Sequence, residues 1–240
     1  MLGLGVAERE MAWQSNRLQE QAQFMSMLTH ELKNPLASIR LTVDTLDAGG
    51  HEALAVRHQR IGRAVQDIDA LVDRCVLVDS IEQGRVQLMV VDLDPEQLVQ
   101  DVLAKFPTAQ PVELMLADDL PMMDTDERLL ETALSNLLEN ALKYTSDPSS
   151  VHVKVSSSDD AQSVYFEVSN LLGPGGVPDL DQLFDKYHRG KHTNGHRGTG
   201  LGLFVVRWVA ERLGGEVQVK LMAAQRIAFQ LCLPLTPHRL

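Results

Sequence analysis

Two cysteines in 240 residues, Cys75 and Cys232, cannot build a disulfide framework or a four-thiolate metal site. They stand far apart, one in a helical and one in an apolar strand pattern, and are expected to be reduced core thiols. Positive charge is also scarce. With 22 Lys and Arg against 33 Asp and Glu the formal net charge is -11, a field that repels polyanions and excludes nucleic acid as a general partner. No apolar run approaches the roughly 18 residues that a membrane-spanning helix needs, and the opening MLGLGVAERE lacks the apolar stretch of a signal peptide. A soluble, cytoplasmic style of chain is expected. The remaining composition, 44% hydrophobic and 23% charged, is that of a globular protein and argues against disorder or a fibrous repeat. The length suffices for two modest domains, each with its own core.

From Met11 an apolar residue recurs every seven positions through Leu18, Met25, Leu32, Ile39 and Leu46, joined by Ala22, Leu36 and Val43 at the intervening step. This predicts a long helix. After DAGGHE, the series Leu54, Ile61, Ile68 and Cys75, with Ala64, Leu71 and Val78, predicts a second helix running back along the first. A hairpin with one seam per helix buries little by itself. Pairing with a second copy through residues 11–79 into a four-helix bundle is therefore expected, a monomeric hairpin packed on the rest of the chain being the alternative.

Gly84 ends that pattern, which sets a domain boundary near residues 80–85. Beyond it, strand-like stretches at Val86–Val90, Val112–Leu116, Val151–Val155, Val164–Val168, Val217–Leu221 and Ile227–Leu233 alternate with helical ones at Pro95–Phe106, Glu127–Tyr144 and Leu201–Leu213. Such layering describes an α/β sandwich. Between Leu171 and Gly200 periodicity disappears and Lys186, Arg189, Lys191 and Arg197 gather, so this loop is expected to be mobile until a ligand orders it.

Three short stretches carry chemistry. In THELKNPL, His30 lies about 120° from the apolar stripe at 100° per residue and must face outward, with Glu31 beside it and Asn34 one turn on. Alone, an exposed His beside a Glu is ordinary solvated surface. Pro35 costs a helix interior about 3 kcal/mol and bends it just after the histidine. In NLLENALKY, Asn136, Asn140 and Lys143 share one helix face while Leu137, Leu138, Ala141 and Leu142 face the core. Amide oxygens are hard, neutral ligands suited to Mg²⁺ that already carries phosphates, and a lysine meets phosphate as a point charge. In RGTGLGL, glycines at 198, 200 and 202 lead into a helix whose first N–H groups suit phosphate. It matches neither a Walker loop nor a Rossmann turn.

Together and in this order, the three stretches resemble the sensor histidine kinases of two-component signalling, from about Phe24 to Leu233. THELKNPL is similar to the family's phosphoacceptor box, NLLENALKY to its N box, LFDKYHRG (183–190) to its F box and GTGLGL to its second glycine box. The resemblance implies an N-terminal coiled-coil or signal-helix segment (1–22), a dimerisation and phosphotransfer hairpin (23–82) and an ATP-binding catalytic domain of the GHKL α/β-sandwich type (85–235). It implies His30 as the phosphorylated residue, with Glu31 as base or ring orienter and Glu31 and Asn34 supporting dephosphorylation of the partner. ATP would meet Asn136, Asn140, Lys143, Tyr144, Asn170, Phe184, Arg189, Gly198, Thr199, Gly200, Leu201 and Gly202, with Mg²⁺ on Asn140. The implied partner is the receiver domain of a response regulator. The implied setting is the cytoplasm, either as a soluble kinase or as the cytoplasmic part of an inner-membrane receptor.

One departure stands out. Where the family has an aspartate that accepts a hydrogen bond from the adenine amino group, this chain has Asn170, followed by Leu171 and Leu172 before the Gly173–Gly176 turn. A neutral acceptor in place of a charged one costs on the order of 1 kcal/mol, about fivefold in affinity. On that pattern alone, restoring the aspartate is expected to tighten ATP binding. Two other readings are a non-catalytic dimeric scaffold that senses nucleotide, and a GHKL ATPase of the gyrase, chaperone or mismatch-repair type. The latter lack an exposed histidine on a preceding heptad hairpin.

Overall fold

A computed structural model describes residues 22, 24–29, 31–45, 54–106, 112–188 and 199–237 of the chain. The expected signal-helix segment before residue 22, His30, the DAGG turn, Arg189, Lys191, Arg197 and Gly198 lie outside these residues. The chain divides into two compact units, the first comprising the residues up to Gln83 together with Thr199, the second the rest of the residues from Gly84 on.

In the first unit, residues 24–29 and 31–45 are helical (α1) and a second helix, α2, spans Leu54–Glu82. α2 buries Arg57, Ala64, Leu71 and Val78, a strict seven-residue step. Of the two predicted series on this helix, only the one through Ala64 is buried. The other is left partly or largely open: Leu54 is 62% exposed, Ile61, Ile68 and Cys75 are half-buried, and Val65, Val72 and Val76 beside them are exposed. On α1, Met25, Leu36, Leu41 and Val43 are exposed as well. A single chain thus covers one seam and leaves a second, apolar one bare.

The second unit begins with a departure from expectation. Val86–Val90 forms no strand; the strand is the next three residues, Val91–Leu93 (β1), which pair antiparallel with Met123–Thr125 (β3). The shift has a cause in Asp126, whose Oδ2 accepts the Met89 N–H at 2.7 Å and so takes that donor out of strand pairing. β3 had no sequence counterpart. Helix α3 (Pro95–Ala104) starts where Asp94 accepts from the Glu96 and Gln97 N–H groups and proline occupies the first turn. Helix α4 (Glu127–Tyr144) is capped by Asp126, with Glu127 in its first turn and Lys143 in its last, both favourable to the macrodipole. Helix α5 spans Gly202–Arg212.

The sheet order is β2 (Glu113–Leu116), β4 (His152–Ser157), β5 (Ser163–Leu171), β7 (Arg226–Pro234) and β6 (Glu216–Met222). Only β2 and β4 run parallel. Alternation divides the faces. Val153, Val155, Val164, Phe166, Val168, Phe229, Leu231 and Leu233 are buried, and so are Leu130, Leu134, Leu137 and Leu138 of α4 and Val205, Val206 and Val209 of α5. The opposite face carries a polar row in register, Lys154, Glu167, Gln230 and Gln218. Helices on one face of a mixed sheet are the expected two-layer α/β sandwich. Cys75 and Cys232 are free and half-buried, not core residues; Cys232 sits on the polar face, where alternation puts it opposite Tyr165. Burial still raises both thiols above their ordinary pKa.

Asp126, fully buried, accepts both the Leu129 N–H that caps α4 (3.1 Å) and the Met89 N–H. Asp126→Ala leaves both donors without that acceptor and is expected to cost about 2–4 kcal/mol in urea unfolding, with Asp126→Asn costing about half as much because one acceptor oxygen remains.

Candidate functional site

Helix α4 presents a polar side because its apolar residues, at positions 129, 130, 133, 134, 137, 138 and 141, exhaust only one face. Asn136 is buried, its Nδ2 donating to Thr132 O at 2.7 Å, which leaves Oδ1 as its outward group. Asn140, Lys143 and Tyr144 follow, all half-buried, with Lys143 Nζ 5.3 Å from the Tyr144 ring centre. Leu142, expected in the core, is half-buried because it lies at the edge of the apolar face.

Two glycines meet this helix. A Cβ on Gly202 would lie 3.0 Å from Asn136 Oδ1, so the start of α5 and the amide are in direct apposition. A Cβ on Gly173 would lie 2.5 Å from Tyr144 O, so the turn after β5 is laid on the last residue of α4. That turn closes with the Gly176 N–H on Gly173 O at 3.0 Å. The structure therefore seats the Gly173–Gly176 turn against α4 despite the two leucines before it.

The N-cap residue of α5 is Leu201, whose side chain has no polar atom to cap the helix. Gly200, just before it, has φ +66°, and a Cβ there would come within 2.8 Å of the His188 carbonyl oxygen and the Tyr187 carbonyl carbon. Its carbonyl accepts the Tyr187 N–H at 3.0 Å. Thr199 and Leu201 on either side are buried. Tyr187 itself holds φ +64°, with Lys186 Nζ 4.8 Å from its ring centre, and Phe184 meets Phe229 edge to face at 6.3 Å. The segment 184–187 is thus fastened to the beginning of α5 and to the sheet.

Asn170, near the end of β5 opposite Ile227, is 3% exposed. Its Nδ2 donates to Leu171 O at 2.8 Å. Around it lies a hydrogen-bonded cluster that no sequence motif announced. Ser150 Oγ accepts the Leu171 N–H at 3.1 Å and lies 2.9 Å from Thr145 Oγ1, tying the strand to the residue that ends α4. Arg226 Nη1 donates to Ser150 O at 2.7 Å and to Ser169 Oγ at 3.2 Å. Ser149, through its hydroxyl and then its N–H, holds the Asp147 carboxyl below the usual carboxylate range, which fixes the turn Pro148–Ser150 that carries Ser150. The one available signal was the run Asp-Pro-Ser-Ser, a turn composition. Arg226 gave none, because only strand pairing brings it to Ser169.

In the first unit Glu31 and Asn34 are half-buried on α1, and Pro35 is buried. The exposed position expected for Asn34 is therefore corrected. Its Nδ2 is sealed from solvent without a hydrogen-bond partner among the described residues, although Lys33, Leu36 and Ala37 around it are exposed.

The residues of the second unit fit a magnesium–nucleotide group. The amides of Asn136 and, one turn on, Asn140 are neutral, hard donors on the helix that also carries Lys143, and at Gly202 backbone approaches Asn136 Oδ1 where a side chain would fill the space. Among the described residues no group of three His, Cys, Asp or Glu side chains could hold a metal.

Two family models match the chain. Residues 20–84 match the His Kinase A (phospho-acceptor) domain, and residues 125–237 match the Histidine kinase-, DNA gyrase B-, and HSP90-like ATPase. Among curated proteins, the adaptive-response sensory kinase SasA of Microcystis aeruginosa is 27% identical over 88% of this chain and 58% of its own length. The sensor protein CreC of Escherichia coli is 30% identical over 82% of this chain and 42% of its own length. The chain thus spans about half the length of these relatives. Among solved structures, the Acinetobacter baumannii histidine kinase AdeS superposes with TM-score 0.62 at 22% identity, over 86% of this chain and 98% of that one, a likeness of fold.

Gly200→Ala forces an L side chain into a left-handed backbone and against the Tyr187–His188 peptide. It is expected to cost about 1–3 kcal/mol in denaturant unfolding. Gly202→Ala, where Asn136 Oδ1 must yield only a few tenths of an ångström, should cost less than Gly200→Ala.

Proposed function

This chain belongs to the sensor histidine kinases of two-component systems, and from that premise we propose that it is a cytoplasmic kinase core that phosphorylates its own His30 from ATP and passes the phosphoryl group to an aspartate of a response-regulator receiver domain. The observation that carries this reading is the apposition of Asn136 on α4 with Gly202 at the start of α5, in a chain whose other unit matches a phospho-acceptor domain.

Asn140, with Asn136, would hold Mg²⁺, which lends positive charge to the triphosphate. Lys143 offsets further charge as a point cation, Tyr144 borders the nucleotide, and Phe184 and Arg189 belong to the segment that covers it. The phosphates would be met by the backbone N–H groups of Thr199, Gly200, Leu201 and Gly202, and by Gly198, which lies outside the described residues; a helix start favours negative charge. His30 Nε2 attacks the γ-phosphorus in line; the N–P bond forms as the bond from phosphorus to the β–γ bridging oxygen breaks, and ADP leaves. Glu31 orients the ring and takes the Nδ1 proton. Catalysis on this account is positioning plus electrostatics. Glu31 and Asn34 would also orient water for the reverse task, dephosphorylating the receiver domain.

The bare second seam of the hairpin supports a homodimer through residues 11–79, since an apolar stripe left in water is stabilised by a second copy of itself. Ile68 lies on that seam. Ile68→Asp would bury an unpaired charge at a cost of several kcal/mol, so light scattering at micromolar concentration should read a dimer for the unaltered chain and a monomer for the variant.

The reading is tested directly by incubation with γ-radiolabelled ATP, which should give acid-labile, alkali-stable phosphate on the protein. His30→Gln should abolish incorporation and leave ATP affinity within about twofold, because the nucleophile and the nucleotide residues of α4 and α5 lie in different units. Asn140→Asp should lower turnover by altering the charge at the metal. ATP binding without any incorporation would favour the non-catalytic scaffold, the second reading, which Asn170 in the aspartate's place motivates.

A further inference from the structure

The sheet ends on β6, which among the described residues pairs with β7 alone. What its outer side presents follows from the ladder. Two bonds continue the β5–β7 register past the strand ends: the Leu172 N–H donates to Gln225 O (2.8 Å) and the Leu235 N–H to Gln162 O (3.0 Å). In an antiparallel ladder alternate residues bond the same neighbour, so the odd-numbered residues of β7 turn their peptides to β5 and the even-numbered ones, from Arg226 to Cys232, turn theirs to β6. Their register partners on β6 are its even-numbered residues, Glu216 to Met222. Val217, Val219 and Leu221 therefore direct their N–H and C=O groups outward, away from the sheet.

This edge is regular. It keeps register with β7 over all seven residues, with no proline, glycine or bulge to spoil a further pairing. Leu221 and Met222 are 45% and 48% exposed. We infer that the edge pairs with the same edge of a second copy, antiparallel about a two-fold axis through Gln218, and joins the two five-stranded sheets into one.

The run Glu-Val-Gln-Val-Lys at 216–220 is what selects a second copy, because it complements itself. Centred on Gln218, the pairing sets Glu216 opposite Lys220 of the second copy, and Lys220 opposite its Glu216. Val217 and Val219, which carry the outward peptides, form the hydrogen-bonded pairs; the charged residues take the alternate positions, where side chains stand closest. Within one chain each charge meets only a neutral amide: Glu216 accepts from Gln218 Nε2 (2.6 Å) and Lys220 Nζ donates to Gln230 Oε1 (2.9 Å). On the other face the half-buried valines of the two copies meet, and Leu221 lies diagonal to Val217 of the second copy, which covers it. A slide of two residues would set Glu216 against Met222, and a parallel pairing in register would oppose like charges. Charge thus fixes both direction and register. The contact is isologous and closes at two copies. It rests on the sheet alone and not on the kinase reading.

The test is sedimentation at low salt, from about 1 µM to about 1 mM, on the full chain carrying Ile68→Asp, which takes the hairpin seam out of the measurement. A single strand pair is smaller than a standard interface, so the chain should be monomeric at micromolar concentration and dimerise with Kd on the order of 100 µM. Val219→Pro removes one outward N–H and no bond to β7, and should abolish this association in a chain that circular dichroism shows to be folded. Glu216→Lys alone and Lys220→Glu alone each oppose like charges twice per contact and should weaken it about fivefold or more. An equimolar mixture of those two variants, or both substitutions in one chain, puts opposite charges together again and should return Kd to within about twofold. If Val219→Pro fails to fold, the charge variants, at exposed positions, decide. A monomer at every concentration, which leaves the edge to water or to a strand of another protein, overturns the inference. So does association that the charge reversals leave unchanged.

Discussion

Helix α4 has to bury seven apolar side chains on one face and still offer Asn140, Lys143 and Tyr144 on another, and the remainder of the second unit is arranged by that requirement. Each fully buried leucine on it is worth about 1.5–3 kcal/mol, so the helix cannot rotate about its axis to suit a ligand. Its direction is fixed at both ends. Asp126 fastens the first turn to the segment before β1, and Thr145 with Ser150 fastens the last residue to β5. Between these anchors two glycines come close enough that backbone, not side chain, meets Asn136 and Tyr144. The polar residues inherit their positions from the apolar ones.

That dependence explains what could be read from the sequence and what could not. The bounds of α4 matched the periodicity at both ends, because a long amphipathic pattern, an aspartate cap and a terminal lysine agree with one another. β1 was displaced because alternating residues from Val86 onward suit any of several pairings, and the choice was made by Asp126, far along the chain, taking the Met89 N–H. β3 is three residues long and carries no periodicity of its own. On α2 both heptad series were legible, but not which of them the chain would bury by itself.

The candidate site divides in the same manner. Asn136, Asn140, Lys143 and the glycines could be found because they recur within one helix turn or one short loop, where local spacing is three-dimensional proximity. Ser150, Arg226 and Ser169 could not. They are separated by 76 and 57 residues along the chain in their bonded pairs and meet only through the β5–β7 register and the turn held by Asp147. Asn170 lies between the two cases: its place was legible, whereas the state of its amide is set by a carbonyl one residue on.

The difference between an amide and a carboxylate at that point is larger than a count of hydrogen bonds suggests. In an open site, removing a charge from an acceptor weakens a bond by about 1 kcal/mol and nothing else changes. In a nearly closed one, the group must satisfy its surroundings before it meets a ligand, and a buried charge facing a carbonyl dipole loses several kcal/mol of solvation that a single ligand hydrogen bond does not return. An amide meets the carbonyl without a buried charge, because its nitrogen donates to Leu171 O. Around that amide the strand end is tied down, the Leu171 N–H by Ser150 Oγ and the Ser169 hydroxyl by Arg226.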